Sequence, residues 1–158
     1  MTMFNQEVLD FGQRSHDMLG QLGLTMPSRP NQELSFPNDL GDIGDEELGI
    51  HLSYWASMCS YALQKVAVLE GALILARERA DQEYDLRLYS KTKSGMKITE
   101  ARSLVNSTKT VRQLKTAVSI IEADLKVLKS VQIGYDLKNS AISREITRRS
   151  NERNTRNG

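Results

Sequence analysis

Apolar side chains recur in alternating steps of three and four along two long stretches of this 158-residue chain. The first stretch reads Leu48, Leu52, Trp55, Cys59, Ala62, Val66, Leu69, Leu73, Ala76, Ala80. The second reads Val111, Leu114, Val118, Ile121, Leu125, Leu128, and continues through Gln132, Tyr135, Asn139, Ile142 and Ile146. Such steps keep one seam on one face of an α-helix, as coiled coils require. Between the seams lies Ser90-Lys91-Thr92-Lys93-Ser94-Gly95-Met96-Lys97, polar and too short for another element. The pattern predicts an all-α fold: a long antiparallel helical hairpin, coiled-coil-like, with one helix from Asp45 to Tyr89 and the other from Lys97–Thr99 to Arg149. Closure at Ser94-Gly95 puts Trp55 near Gln132 and Tyr135, Cys59 near Leu128, and Leu48 near Asn139 and Ile142. Gln132 and Asn139 read as polar residues that set the register of the seam. Gly71 and Gly134 interrupt the helical runs and suit a close approach of neighbouring chain.

The pattern changes before residue 45. Within residues 1–23, Val8, Leu9, Phe11, Met18, Leu19 and Leu22 fall on one face of a short amphipathic helix. Residues 24–44 hold all three prolines together with Gly41 and Gly44, the composition of an extended linker. Asp42 or Asp45 is the expected N-cap of the first long helix, with Glu46 and Glu47 suited to the positive end of its dipole. Three regions result: an acidic, flexible N-terminal extension at 1–44, the hairpin at 45–149, and a polar basic tail at 150–158 expected to fray.

Charge sharpens this picture. Residues 1–47 carry nine acidic and two basic side chains, residues 48–90 five and four, and residues 91–158 six and fifteen. The formal net charge of +1 therefore conceals an acidic head and a tail of net +9, an asymmetry that suggests a polyanion partner. Two basic groups stand out. Lys91, Lys93 and Lys97 crowd the hairpin turn among small hydroxyl residues, with Tyr84 and Tyr89 nearby as stacking residues for single strands. Arg144, Arg148, Arg149, Arg153 and Arg156 end the second helix, where guanidinium forks suit bidentate phosphate binding. Two readings of these arginines stay open, nucleic-acid contact and pairing with Asp42, Asp45, Glu46 and Glu47.

Candidate chemistry adds little. His16, His51 and Cys59 lack metal-ligand spacing, so no metal or cofactor is expected. No nucleophile–base constellation is present, and the turn lacks the Gly-Lys-Ser/Thr junction of a phosphate loop. These absences argue for binding rather than catalysis. The lone Cys59 excludes an internal disulfide. No apolar run approaches the roughly 18 residues of a membrane span, and no signal-peptide pattern opens the sequence, so no membrane partner is expected. Each helix hides one stripe, so a homo-oligomer is expected.

The entry Gly44-Asp45-Glu46-Glu47-Leu48, the Leu52-x-x-Trp55 helix with Tyr61 and Ala62, and the ending Ala141-Ile142-Ser143-Arg144-Glu145-Ile146-Thr147-Arg148-Arg149 resemble small helical proteins of tailed bacteriophages. In general plan they are similar to the recombination mediators of T-even phages, the UvsY type. The resemblance covers residues 45–149; residues 1–44 have no counterpart. It implies a helix-rich oligomer in the cytoplasm of an infected bacterial host. Such a protein binds single-stranded DNA and helps load the phage recombinase onto strands covered by single-strand-binding protein. A structural or assembly protein of the virion, with the hairpin packed in a capsid, neck or tail, is the alternative.

Overall fold

A computed structural model describes residues 3–156. It contains α1 (Met3–Gln21), α2 (Asp45–Lys93), α3 (Ile98–Ser107) and α4 (Lys109–Arg156), with no strand among the described residues. The fold is the expected all-α helical hairpin, in which α2 packs against α4. Contacts divide the chain into two compact units. One comprises residues 1–25 and 67–126, the other residues 26–66 and 127–158; α2 and α4 each run through both.

In the first unit the core lies along Ala72, Leu73, Ala76 and Ala80 of α2, Ala101 and Val105 of α3, and Val111, Leu114, Ala117, Ile121 and Leu125 of α4. α1 covers a further stripe of α2, at Val68 and Gly71, through Gly12 and Phe11. Its inner face is Val8, Phe11, Gly12, Ser15 and Leu19, whereas Leu9, Met18 and Leu22, expected on the apolar face, are exposed. α2 ends four residues later than expected. The N–H of Met96 donates to the Lys91 carbonyl at 3.3 Å and that of Gly95 to the Thr92 carbonyl at 3.0 Å. With Gly95 at φ 88°, this is a Schellman end, which glycine enters without a Cβ penalty.

The second helix of the hairpin is not continuous. Thr108 adopts extended backbone (φ −65°, ψ 139°) between α3 and α4. Its hydroxyl donates to the Val105 carbonyl at 2.6 Å, and its own carbonyl accepts from the Arg112 N–H at 3.0 Å. Hydroxyl and amide side chains compete with the helix for backbone partners, and Asn106-Ser107-Thr108 supplies three in a row. The pairing in this unit also differs from the expected register. Arg77 pairs with Glu122, while Thr110, which a closure at Ser94-Gly95 would set near Arg77, lies within 3.4 Å of Arg87.

In the second unit Leu48, Trp55, Met58 and Ile142 form the core, with Phe36, Leu40, Ile43, Leu52, Tyr54, Tyr135 and Ile146 packed against it. The register here lies within one turn of the expected one: Trp55 meets Tyr135 at 5.8 Å between ring centroids. Leu48 and Ile142 share the core. Cys59 is reached by Gln132 Nε2 at 3.9 Å, a turn from the expected Leu128. The stretch before α2 is irregular, as its prolines require, but it is seated rather than free. Phe36 lies edge-on to Trp55 at 6.0 Å, and Gln64 Nε2 donates to Met26 Sδ at 3.0 Å. The Gly44 carbonyl accepts the first helical bond, from the Leu48 N–H at 2.9 Å. Gly44 rather than Asp42 or Asp45 therefore occupies the cap position, and Asp45 stands in the first turn. Helix α4 continues to Arg156, so the tail expected to fray from residue 150 is helical that far; its last two residues lie outside the described part.

Candidate nucleic-acid interface

The turn that ends α2 gathers the first basic group within one unit. Lys91 is half-buried, Lys93 and Lys97 are exposed, and Lys97 stands at the extended N-cap position of α3. Lys93 Nζ rests 5.8 Å from the Tyr89 ring centroid. Arg102 on α3 and Lys109 and Arg112 on α4, not singled out from the sequence, are exposed in the same unit. The signal that identifies them is the local balance: residues 91–115 carry seven basic side chains and a single acid, Glu100. Lys91, Lys97, Arg102, Lys109 and Arg112 make no ion pair among the described residues. Uncompensated cations of this kind raise the local concentration of a polyanion and gain affinity by releasing its counterions. Lys115 differs: it donates to Asn106 Oδ1 at 2.8 Å and sits 5.2 Å over the Tyr84 ring. Of the two candidate stacking residues, Tyr84 is therefore half-buried and covered, whereas Tyr89 is 65% exposed.

The second basic group, in the other unit, is spent differently. The Arg149 side chain is only 17% exposed, and each of its three nitrogens donates. Nε reaches Glu145 at 2.7 Å; one terminal nitrogen reaches the Ile43 carbonyl at 2.8 Å and Asp45 Oδ1 at 2.9 Å. The other reaches the carbonyls of Leu40 at 2.7 Å and Gly41 at 3.1 Å. A planar fork of five donors is the one side chain able to gather so many acceptors. Arg153 pairs with Asp45, and Arg148 lies between Glu145 and Glu152. The hydrogen bonds from Arg148 and then Arg149 hold the Glu145 carboxyl down at about 2, and the same contacts raise Arg148 above its ordinary value. Pairing with the acidic head is thus the geometry found for Arg149 and Arg153. Arg144 is exposed and makes no ion pair among the described residues. The structure does not bring Arg144, Arg148, Arg149 and Arg153 to one open phosphate site.

His51 is buried, 4.0 Å from Glu47, and no group of three or more His, Cys, Asp or Glu side chains among the described residues is placed to hold a metal. Asn139 lies in the seam with its Oδ1 buried and without a hydrogen-bond partner among the described residues. Contrary to the sequence expectation, α2 contains an 18-residue window of mean hydropathy 1.4, long and apolar enough by length and composition to cross a membrane. Core helices that are mostly buried meet the same criterion, whereas only 28% of this window is buried inside the protein. Comparison with protein-family models, with curated proteins and with solved structures finds no match to the chain.

Proposed function

We propose that this protein acts by binding single-stranded nucleic acid, as an accessory of the recombination-mediator type, and that its contact surface is the basic turn between α2 and α3 with the cations of α3 and the start of α4. The observation that supports this reading is the set of five cations, Lys91, Lys97, Arg102, Lys109 and Arg112, that find no acidic partner among the described residues, whereas Arg148, Arg149 and Arg153 of the other basic cluster are paired. Phosphates supply the missing countercharge, and each contact made adds about 0.7 to the log–log salt slope for single strands. Within this reading Arg144 is a secondary contact, and Arg148, Arg149 and Arg153 maintain the fold. Self-association belongs to the same proposal: Val127, Ile133 and Leu137 of α4 are each more than half exposed. A recombinase and a single-strand-binding protein are the proposed protein partners, on the sequence resemblance alone.

The test is a fluorescence-anisotropy titration of a labelled single-stranded oligonucleotide at several salt concentrations. The wild type should bind with a steep salt dependence. Replacing Lys91, Lys93 and Lys97 by alanine should weaken binding and flatten the slope, whereas R144A alone should do so by about one phosphate contact. Absence of binding by the wild type at low salt would remove this function and leave the virion-assembly reading.

A further inference from the structure

The most exposed apolar surface of α2 lies one turn before its basic end. Leu86 is 67% and Tyr89 65% exposed, and with Gln82 and Asp85 they line an open cleft of about 440 Å³. The four share one side of the helix, since residues three and four apart are surface neighbours. Lys93 stands one turn further on, its ammonium 5.8 Å from the Tyr89 ring. The cleft thus has an apolar, partly aromatic floor, a carboxylate and an amide at one end, and a cation at the other. We infer that this cleft is a stacking site for one unpaired nucleobase, with preference for a base that bears an exocyclic amino group. The inference rests on the nucleic-acid-binding reading above.

Each part of the surface has a role in that recognition. The Tyr89 ring offers a flat face to a base and the Leu86 side chain adds apolar contact beside it, and stacking on an aromatic ring tolerates any base. Lys93, with Lys97 beyond it, lies where the phosphate next to the stacked base would pass. Asp85 is unfavourable to a phosphate, so the backbone runs on the lysine side and the base edge faces the carboxylate. A carboxylate accepts a hydrogen bond from the amino group of cytosine, whereas thymine carries a carbonyl there and offers only its N3–H, flanked by two carbonyl oxygens that repel a carboxylate. Bases within a duplex are already stacked and cannot use the floor. The cleft therefore separates single from double strands, which the surrounding cations alone do not.

The experiment compares labelled oligo-dC, oligo-dT and a duplex of equal length on the full chain, by anisotropy at one low salt concentration. Because Tyr89 is exposed, Y89A should keep the helical circular dichroism of the wild type. It should lose roughly ten- to a hundredfold in affinity for oligo-dC, the size of one stacked base, with duplex binding unchanged, and Y89F should bind as the wild type. D85L should remove the preference for oligo-dC over oligo-dT. Equal loss of single- and double-strand binding by Y89A, or no loss of either, would overturn the stacking site while leaving the basic surface in place. Failure of the wild type to bind any of the three would overturn both.

Discussion

The Phe11 ring of α1 lies directly against the backbone of Gly71 in α2, in the space a Cβ would occupy. Nothing stands within 4 Å of the corresponding position at Gly134 of α4. The two helical glycines should therefore respond oppositely to alanine. G71A should displace the Phe11 ring and destabilise the first unit by about 1–3 kcal/mol, the usual cost of overpacking. G134A should stabilise the protein by roughly 0.5–1 kcal/mol through the helix preference of alanine. Denaturant melts of both variants measure this, and in an F11A background the effect of G71A should shrink.

Arg149 should be far more sensitive to substitution than its exposed neighbour Arg144. R149A leaves the carbonyls of Leu40, Gly41 and Ile43 without their donor and should cost about 2–3 kcal/mol, on the scale of hydrogen bonds to charged groups. R149K should recover little, because an ammonium cannot span the same acceptors. Limited proteolysis is the sensitive readout: cleavage within residues 24–44 should accelerate in R149A and remain at the wild-type rate in R144A.

Trp55 is buried among three aromatic rings in the second unit. Its ring meets Tyr54 at 4.9 Å, Tyr135 at 5.8 Å and Phe36 at 6.0 Å, with Lys138 Nζ 4.0 Å from its centroid. W55A should destabilise by about 3–5 kcal/mol. K138M keeps the aliphatic cover and loses only the cation–π attraction, so it should cost about 0.5–2 kcal/mol. Thermal unfolding followed by circular dichroism distinguishes the two.

Acid should weaken the contacts around Glu145. Its carboxyl titrates at about 2 in the folded protein against an ordinary 4.5, so the unfolded chain takes up the proton first. The stabilisation is complete above about 4.5 and is lost as the pH falls through the interval down to about 2. E145Q should remove this component, so that its stability falls less than that of the wild type across the interval in urea melts.

The α2 seam, the turn at Gly95 and the pairing of Trp55 with Tyr135 were legible because hydrophobic period and a glycine stop are local signals. The break at Thr108 was not, since no glycine or proline marks it and a run of hydroxyl and amide residues is compatible with an exposed helix surface. Nor did period alone reveal that Phe36, Leu40 and Ile43 are seated, because apolar residues spread among prolines show no face. The site was legible in part. Lys91, Lys93 and Lys97 lie together because they are neighbours in sequence. The use of Arg149 depends on carbonyls of Leu40 and Gly41, and no charge count registers a backbone acceptor.

The acceptors that seat the segment before α2 belong to residues 40–45, and the side chain that gathers them lies more than a hundred positions later. During synthesis, then, residues 24–44 emerge long before Arg149 exists to hold them. Two long helices must be made before that contact can close, and closure over so long a loop comes late and slowly. Until then Phe36, Leu40 and Ile43 have only the α2 side of their cover, Leu48, Trp55 and Met58, and lack Ile142 of α4. The clasp therefore joins the two ends of the hairpin sequence, and it can form only once residue 149 has been made.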